Sequence, residues 1–213
     1  MKKLLLVGAG GHCRSVIDSL DSGQYQDIGL IDDTSDKCQN LPYRFLGSDA
    51  DIPELFADGY SLAAITLGSV GDPSIRIKLY KKYKEIGFEF PVIIDPSAII
   101  SKHVTIKEGV YIGKGAIVNT GASLGICSII NSGAVIEHDC TIGDFVHIAP
   151  NASLSGGVSV GNYSHIGIGS TIIQSINIGE NTIIGAGAVV INDISSNCTA
   201  VGVPAKTIKR GSV

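Results

Sequence analysis

The sequence predicts an α/β N-terminal domain of Rossmann-like type followed by a left-handed parallel β-helix, and three observations support this prediction. Aliphatic residues recur every six positions, without interruption, from Ile100 to Val190. Before that repeat, strand-like and helix-like segments alternate, which is typical of a parallel sheet with packed helices. The 213 residues include 27 glycines, no tryptophan and only 6% aromatics, a composition that suits tight corners and small inward side chains.

The six-residue repeat predicts coils of three short strands joined by sharp corners. All sixteen repeat positions, here called ladder residues, hold Ile, Leu or Val, although these types account for only 61 of the 213 residues. The ladder residues are Ile100, Ile106, Ile112, Val118, Leu124, Ile130, Ile136, Ile142, Ile148, Leu154, Val160, Ile166, Ile172, Ile178, Ile184 and Val190. Because side chains alternate along a strand, the small or β-branched residue two positions earlier should also point inward. Sixteen hexads give about five coils, or roughly 25 Å of stacked strands.

Glycine is frequent directly after the ladder residue, as at Gly113, Gly125 and Gly143. We expect Gly or Asn beside the corner to adopt backbone angles that cost other residues free energy. The ladder residues need no role beyond packing against the neighbouring coils. Functional groups are therefore expected among the residues that interrupt the pattern.

The first third of the chain predicts a small α/β domain at residues 1–95, with the β-helix at residues 96–213. Strands are predicted at Lys3–Val7, Ile28–Ile31, 63–67 and 88–94, and helices at 15–20 and from Asp72-Pro73 to about Ile86. An N-capping Asp followed by Pro in the first turn is a favourable start for the second helix. The order of these elements predicts a parallel sheet.

A glycine-rich turn follows the first predicted strand, and the acidic pair Asp32-Asp33 follows the second. This resembles a dinucleotide-binding fingerprint, but Cys13 stands where that motif requires its third glycine. Three interpretations stay open: a complete dinucleotide site, a turn that only allows tight packing, and a site for a shorter ligand such as a uridine nucleotide. In the last case the N–H groups of Gly10 and Gly11 would meet phosphate. Asp32 or Asp33 would then bond ribose or base.

Charge and cysteine content exclude several classes of protein. The formal net charge of −4 gives no sign of a nucleic-acid-binding surface. Five cysteines without a CxxC pair argue against a disulfide framework and against a structural zinc site. The N-terminal apolar run at residues 4–7 is too short for a signal peptide or a membrane span, so we expect a soluble, cytoplasmic protein.

Histidine is the side chain best suited to proton transfer near neutral pH. The five histidines are His12, His103, His138, His147 and His165. His138 lies at a corner, two positions after a ladder residue, and the adjacent Asp139 can orient its imidazole. His147 and His165 each precede a ladder residue and are one coil apart, so they should point outward and stack on one face. This pair indicates a groove, with a plain surface position as the alternative for His165.

A metal site is the main alternative use for these histidines. The γ-class carbonic anhydrases resemble this chain in their fold signature and bind zinc through three histidines, two of them five residues apart. The gaps between the last three histidines here are nine and eighteen residues. We therefore predict no metal. A purely structural repeat protein is also disfavoured, because it would need neither the histidines nor the α/β domain.

Four motifs together resemble one family of enzymes. They are the hexad ladder, GAGGH at residues 8–12, IEHD at residues 136–139 and VGVPAK at residues 201–206. Their combination covers nearly the whole chain and resembles the hexapeptide-repeat sugar acyltransferases that carry an N-terminal nucleotide-sugar domain. The UDP-N-acetylbacillosamine N-acetyltransferases are the best-understood members of this family, and the sialic acid O-acetyltransferases look like close relatives.

The resemblance implies catalytic roles for three residues. His138 matches the family's general base, and Asp139 matches the acidic helper of that base, which is usually Glu. Asn131 matches an asparagine near the acceptor amine. The family also implies a homotrimer in which acetyl-CoA lies between neighbouring β-helices.

The resemblance implies binding residues as well. His147 matches a histidine that contacts acetyl-CoA, and Ile168 and Ala186 match backbone contacts to its pantetheine arm. We add His165 to this set because it should stack on His147. The residues that match the family's nucleotide site are Gly10, Gly11, His12, Asp32, Asp33 and Gly68.

The function that follows is acetyl-CoA-dependent acetylation of the amino group of a UDP-linked amino sugar of the bacillosamine type. The alternative is O-acetylation of a sialic acid or a related nonulosonate, because the same chemistry serves a hydroxyl group. A third possibility is a nucleotide-sugar binding module that has lost transfer, against which the IEHD segment argues. Neither a nucleic-acid partner nor a membrane is expected.

Overall fold

A computed structural model of the chain describes residues 1–208, which form two compact units. The first unit contains residues 1–68 and 74–93, and the second contains the short segment Ser69–Pro73 and the chain from Ile94 onward. Residues 209–213, which the predicted second domain includes, lie outside the described part. Within residues 1–208, no helix combines the length and the apolar character needed to cross a membrane.

The first unit is built on a four-stranded parallel sheet with packed helices, which confirms the predicted α/β class. The strands are Lys3–Val7 (β1), Ile28–Ile31 (β2), Arg44–Gly47 (β3) and Tyr60–Ile65 (β4). The helices are Gly11–Ser19 (α1), Ile52–Ala57 (α2) and Ser74–Ile86 (α3), with 3-10 turns at Ser22–Gln24 and Ser35–Cys38. The strand order is β3-β2-β1-β4, so β1 has a neighbour on each side. Leu4, Leu5 and Leu6 of β1 are fully buried, as expected for a parallel strand covered on both faces.

Several boundaries in this unit differ from the sequence prediction. Helix α1 begins at Gly11, inside the glycine-rich turn, rather than at residue 15. The sequence pattern does not predict β3 or α2, because β3 is a short edge strand whose Arg44 and Phe45 are exposed. The predicted strand at 88–94 is interrupted, and at its start Glu89 forms only an isolated parallel bridge with Leu62 of β4. Phe88 packs into the core of the unit, and only the last two residues of that segment form a strand.

The second unit is a parallel β-helix whose strands form three sheets, which confirms the predicted fold class. The first sheet, here called the histidine face, contains Ile93–Ile94, Tyr111–Ile112, Ile129–Ile130, His147–Ile148, His165–Ile166, Ile183–Ile184, Thr199–Val201 and Lys206–Ile208. The second face contains Ile99–Ile100, Ile117–Val118, Val135–Ile136, Ser153–Leu154, Thr171–Ile172 and Val189–Val190. The third face contains Thr105–Ile106, Ser123–Leu124, Thr141–Ile142, Ser159–Val160 and Asn177–Ile178. The chain visits the three faces in this order in every coil.

The ladder forms the interior of the β-helix, as predicted. Fourteen consecutive ladder residues, from Ile112 to Val190, are at most 2% exposed. The residues two positions earlier also point inward, and Ala116, Cys140 and Ala152 are fully buried. After Val190 the hexads end. Thr199–Val201 still pairs in parallel with Ile183–Ile184, and Lys206–Ile208 turns back to pair with Thr199–Val201 antiparallel. The predicted closing segment at residues 201–206 forms this turn.

The glycines that follow the ladder residues have a different cause from the predicted one. At the corners from Gly109 to Gly187, the left-handed φ lies three residues after the ladder residue, as at Gly121 (φ +76°) and Asn151 (φ +56°). Gly143, directly after a ladder residue, has no such φ, and a Cβ there would lie 2.7 Å from the backbone nitrogen of Asn162 in the next coil. Gly and Asn at the corners thus adopt the expected angles, but the glycines directly after the ladder residues do not. They are required because adjacent coils approach too closely for a side chain.

Candidate active site

His138 lies on the edge of the β-helix between the second and third faces, here called the His138 edge. Its backbone is fixed from both neighbouring coils. The N–H of Gly157 donates to the carbonyl of His138 at 2.8 Å, and the N–H of Asp139 donates to the carbonyl of Thr120 at 3.0 Å. The side chain of His138 is 59% exposed. The β-helix thus presents this imidazole to the outside from a rigid backbone.

Asp139 forms a dyad with His138. Its Oδ2 lies 2.8 Å from Nδ1 of His138. Because a carboxylate only accepts, Nδ1 carries the proton and Nε2 is the basic atom. The hydrogen bond to Asp139, supported by the charges of Asp139 and Glu137, raises the pKa of His138 above its ordinary value. Asp139 occupies a left-handed corner (φ +60°), and from there its side chain, shorter than the Glu usual in the family, reaches the ring.

His147 and His165 stack on the histidine face, as predicted from their spacing. They pair in register on adjacent strands, with ring centroids 4.9 Å apart in an edge-to-face arrangement. Both precede inward ladder residues and therefore point outward, yet each is only 7% exposed. The alternative of a plain surface position for His165 is therefore wrong.

His147 is held by two hydrogen bonds. Its Nδ1 donates to the carbonyl of Ser69 at 2.6 Å, which fixes the tautomer because a carbonyl only accepts. Nε2 then accepts from Nδ2 of Asn131 at 3.1 Å. Oδ1 of Asn131 accepts from the N–H of Ser132 at 2.8 Å, which fixes the orientation of the amide. In this network His147 is neutral, and Asn131 lies with His147 rather than with His138.

An apolar cavity of about 400 Å³ lies beside the two stacked histidines. His147, His165, Ile168 and Ala186 all line it, so the four residues predicted to contact acetyl-CoA lie together. Burial lowers the pKa of His165, and its Nδ1 is buried with no hydrogen-bond partner within residues 1–208. An apolar cavity with one unsatisfied polar atom suits a largely apolar ligand that brings a matching polar group.

The His138 edge and the histidine face lie on opposite sides of the β-helix. A three-sided helix has three edges, and the edge between the second and third faces is the one that the histidine face does not share. The packed ladder separates the two regions. His138 and the apolar cavity therefore cannot act on one ligand within a single chain. The predicted catalytic set of His138, Asp139 and Asn131 is likewise not assembled in one chain, since Asn131 bonds His147.

The first unit has its own cavity, of about 260 Å³, at the carboxyl ends of β1 and β2. Ligands of parallel α/β sheets bind at this position. Asp32 and Asp33 line the cavity, together with Lys37, Asp49 and Lys78. The last three are not identified by the sequence, because they belong to no motif and resemble ordinary surface charges. The two lysines supply positive charge that suits phosphate groups.

Asp32 and Asp33 differ in what they can do. Asp32 is 8% exposed, and its carboxylate accepts from the N–H of Ala9 and from Nζ of Lys37, each at 2.8 Å. Burial alone would raise the pKa of Asp32, but these hydrogen bonds and that of Thr34 outweigh it and hold the pKa below its usual value. Asp32 thus braces the turn after β1. Asp33 is exposed and is the carboxylate left for a ligand.

The remaining residues predicted for nucleotide binding lie at the turn between β1 and α1 and at Gly68. Gly10 is the N-cap of α1, and no side chain caps this helix, so its first N–H groups can meet an anion. A Cβ on Gly10 or Gly11 would meet nothing within 4 Å, so packing does not require glycine there. His12 packs beside Gly68, where a Cβ would lie 3.6 Å from that of His12. Gly8 of the same turn has a left-handed φ of +99°, and a Cβ there would lie 2.5 Å from Leu67, so tight packing does require glycine at the start of the turn.

Metal ligands are not gathered in the described chain. Among residues 1–208, no group of three or more His, Cys, Asp or Glu side chains is placed to hold a metal ion. The histidines of the β-helix are dispersed, with His138 on one edge and the stacked pair on the opposite face. All five cysteines are free and buried.

The hexapeptide-repeat β-helix and the α/β unit before it define a class of protein, the acyltransferases built on this repeat. Residues 3–83 match the family model of the PglD N-terminal domain. The chain is similar to the perosamine N-acetyltransferase of Caulobacter crescentus, solved with CoA and GDP-perosamine, at 36% identity over 100% of this chain and 98% of that one, with a TM-score of 0.89. That enzyme has been solved with one histidine replaced by asparagine or by alanine.

Two further solved structures resemble the chain along its length. The acetyltransferase domain of PglB from Neisseria gonorrhoeae, solved with acetyl coenzyme A, is 32% identical over 97% of this chain and 99% of that domain, with a TM-score of 0.89. WeeI from Acinetobacter baumannii is 25% identical over 98% of this chain and 100% of that one, with a TM-score of 0.86. The chain belongs to the hexapeptide-repeat sugar acetyltransferase family and is an acyltransferase, as predicted.

A curated relative matches a smaller region. The acyl-[acyl-carrier-protein]–UDP-N-acetylglucosamine O-acyltransferase of Caulobacter vibrioides is 40% identical over 58 residues. This match spans 27% of the present chain and 20% of that protein. It therefore concerns a segment of each protein and not their whole length.

Proposed function

We propose that this protein transfers the acetyl group of acetyl-CoA to the amino group of a nucleotide-linked amino sugar, with His138 as general base. The observation that carries this proposal is the dyad of His138 and Asp139, in which Nδ1 is bonded to a carboxylate and Nε2 is the basic atom. An amine that attacks a thioester must lose a proton, and a positioned imidazole is suited to take it.

Asp139 would support this reaction in two ways. In the neutral ring it holds the proton on Nδ1, so that Nε2 faces the acceptor amine. When Nε2 has taken the proton, the carboxylate favours the resulting cation. The hydrogen bond to Asp139 is also the main cause of the raised pKa of His138. Because the base form exists only above this pKa, activity should fall as the pH is lowered through it.

The apolar cavity on the histidine face is the proposed site of the pantetheine arm of acetyl-CoA, which supplies the acetyl group. Ile168 and Ala186 give this cavity an aliphatic lining. An amide of the arm can satisfy the buried Nδ1 of His165, which has no partner within residues 1–208. His147, held neutral by Ser69 and Asn131, forms a fixed part of the wall.

A homotrimer would bring the two regions together. His138 and the apolar cavity lie on opposite sides of one β-helix, so one chain cannot use both on the same substrate. If the His138 edge of one copy faces the histidine face of the next, three such head-to-tail contacts close a ring. We therefore propose that each active site forms between two copies.

The first unit is the proposed nucleotide site. The N–H groups at Gly10 and Gly11, with Lys37 and Lys78, would bind phosphate, and Asp33 would bind ribose or base. The family resemblance makes a UDP-linked amino sugar of the bacillosamine type the first acceptor to test. The similarity to an enzyme solved with GDP-perosamine makes a GDP-linked amino sugar the second. Free, buried cysteines suit the reducing cytoplasm, where we place a role in glycan biosynthesis.

The direct test is thiol release from acetyl-CoA in the presence of different acceptors. A UDP-linked and a GDP-linked 4-amino-4,6-dideoxy sugar should each be compared with a free and a CMP-linked sialic acid. Rapid release with an amino sugar, and none with the same sugar carrying a hydroxyl at that position, is the expected result. Release with the sialic acids alone would replace the proposal by O-acetylation. Nucleotide binding without any thiol release would indicate a binding module.

A further inference from the structure

One position on the His138 edge lacks a side chain beside the dyad. The second residue after each ladder residue lies at a corner, and only one of the sixteen is glycine. These residues are Lys102, Glu108, Lys114, Thr120, Ile126, Ser132, His138, Asp144, Pro150, Gly156, Asn162, Ile168, Gln174, Glu180, Ala186 and Asn192. The glycine, Gly156, lies one coil after His138 (156 − 138 = 18), on the same edge. Its place in the repeat therefore singles it out.

The ring of His138 lies against this glycine. A Cβ at Gly156 would lie 2.5 Å from Cε1 and Nε2 of His138 and 3.1 Å from Cδ2. Carbon atoms pack at about 3.5–4.0 Å, so an alanine here would displace the ring. The backbones cannot shift easily, because the N–H of Gly157 donates to the carbonyl of His138 at 2.8 Å. Nε2, the atom proposed to take the proton, is thus among the atoms that would move.

The backbone does not explain why this residue is glycine. Gly156 has no left-handed φ, whereas its neighbour Gly157 has φ +70°. Gly143 also lacks a left-handed φ, but a Cβ there would collide with the backbone of the next coil. At Gly156 the three nearest atoms all belong to the ring of His138. A side chain at this position would therefore meet the imidazole first, and not the backbone of a neighbouring coil.

Asp139 is accommodated in the same way from the other side. Gly121 lies one coil earlier on this edge, and a Cβ there would collide with Oδ1 of Asp139. The dyad therefore lies between two coils that both lack a side chain where it contacts them. Gly121 also has a left-handed φ of +76°, so alanine there would strain the backbone as well. Gly156 is the cleaner position for an experiment.

We propose that Gly156 is a positioning residue for the transfer reaction. Because Gly156 has no side chain, the His138 ring can occupy the space beside it while it is hydrogen-bonded to Asp139. This arrangement fixes the position of Nε2. This inference rests on the proposed role of His138 as general base. It names Gly156 as the residue of the neighbouring coil that determines where the ring of that base lies.

The Gly156→Ala variant tests this proposal in the full-length protein. We expect kcat to fall by ~10²-fold, the loss that a displacement of about 1 Å in a reacting group can cause. KM for acetyl-CoA should change much less than kcat, since the residues that line the apolar cavity, such as Ile168 and Ala186, are not altered. Gln174→Ala is the matched control, because Gln174 has the same hexad position on the same edge one coil further on and is exposed. The control should keep the wild-type kcat.

Two further measurements do not depend on activity. The collision is with the ring, so any loss of Tm in Gly156→Ala should disappear when the same change is made in a His138→Ala background. An NMR titration of His138 should show its pKa falling toward the ordinary value in Gly156→Ala, because the displaced ring loses its bond to Asp139. A loss of Tm that persists in the His138→Ala background would overturn the proposal, as would a wild-type kcat with an unchanged titration.

These measurements separate failure of the inference from failure of the proposed function. If wild-type protein releases no thiol with any acceptor, the proposed function fails, while the Tm comparison and the titration still decide whether Gly156 positions the ring. If His138→Ala keeps full activity, the assignment of the base is wrong. If His138→Ala is inactive and Gly156→Ala is fully active, only the role of Gly156 is wrong.

Discussion

His138 and His165 belong to the same six-residue repeat but occupy different positions in it. His138 follows a ladder residue by two positions and lies at a corner, where its side chain is 59% exposed. His165 directly precedes a ladder residue and lies in a strand of a covered face, where it is 7% exposed. A carboxylate raises the pKa of the first imidazole, whereas burial lowers the pKa of the second. Position in the hexad thus decides whether a histidine is exposed beside a carboxylate or buried beside an apolar cavity.

The partners of the rings sharpen this contrast. Asp139 accepts from His138 and would stabilise a cationic ring. His147, the neighbour of His165, is held by the carbonyl of Ser69 and the amide of Asn131, neither of which is charged. Nε2 of His147 accepts from this amide and is therefore not available to take a proton from a substrate. We therefore assign proton transfer to the His138 edge and ligand binding to the histidine face.

The largest effect is expected from removing the imidazole at the His138 edge. His138→Gln should lower kcat by ~10²–10⁴-fold, the usual contribution of a general base. The matched control is His103→Gln, because His103 is an exposed histidine on the same edge whose carbonyl accepts from the N–H of Gly121. Steady-state thiol release checks both variants. Equal activities of the two variants would show that His138 contributes no more to the reaction than another exposed histidine on the same edge.

Asp139→Asn should have a smaller effect and should change the pH profile. Asp139 raises the pKa of His138, so its removal should lower that pKa. The base form then persists to lower pH, and the acid limb of kcat/KM should move to lower pH. The plateau should fall less than in His138→Gln, because the base is kept but its cationic form loses the neighbouring carboxylate. A plateau and an acid limb identical to those of the wild type would show that Asp139 does not act on His138.

His165→Leu tests the other side of the comparison. Leucine keeps the cavity apolar and removes a buried Nδ1 that has no partner within residues 1–208, so Tm should stay the same or rise. The pantetheine arm would lose one hydrogen bond, and KM for acetyl-CoA should rise roughly 5-fold, equivalent to about 1 kcal/mol. The kcat value should be nearly unchanged. A large fall in kcat with a normal KM would place His165 in the chemistry rather than in binding.

Most of the fold could be predicted from the sequence because every hexad has the same two inward positions, which must hold apolar or small residues. Ladder residues such as Ile136 and the small residue before them are buried in every coil, and both positions follow from strand alternation. The origin of glycines such as Gly143 could not be predicted, because it depends on the distance between two backbones one coil apart. The edge strand β3 was equally inaccessible, since its exposed Arg44 and Phe45 give no alternating pattern.

The candidate site could be predicted only in part. The stacking of His147 and His165 follows from the eighteen-residue coil, and the structure confirms it. The partners of His147 could not be predicted, because Ser69 comes from a segment far from it in the sequence and bonds through its backbone. The pair Asp32-Asp33 shows the same limit. Two adjacent identical residues carry no sequence signal that separates the buried, bonded carboxylate from the exposed one.

The difference between the buried Asp32 and the exposed Asp33 predicts different effects for substitutions at these two neighbouring positions. Asp32→Asn should lower the free energy of unfolding by about 1 kcal/mol, because it weakens buried hydrogen bonds to a charged acceptor. Since the pKa of Asp32 is lowered by folding, this contribution is present above the unfolded pKa of about 3.9 and is lost as the pH falls through the folded pKa. Urea unfolding at neutral and at acidic pH should therefore show a gap between wild type and Asp32→Asn that narrows in acid. Asp33→Asn should leave unfolding unchanged and weaken nucleotide binding in calorimetry. If Asp33→Asn binds the nucleotide as tightly as the wild type, the exposed carboxylate is not the one that holds it.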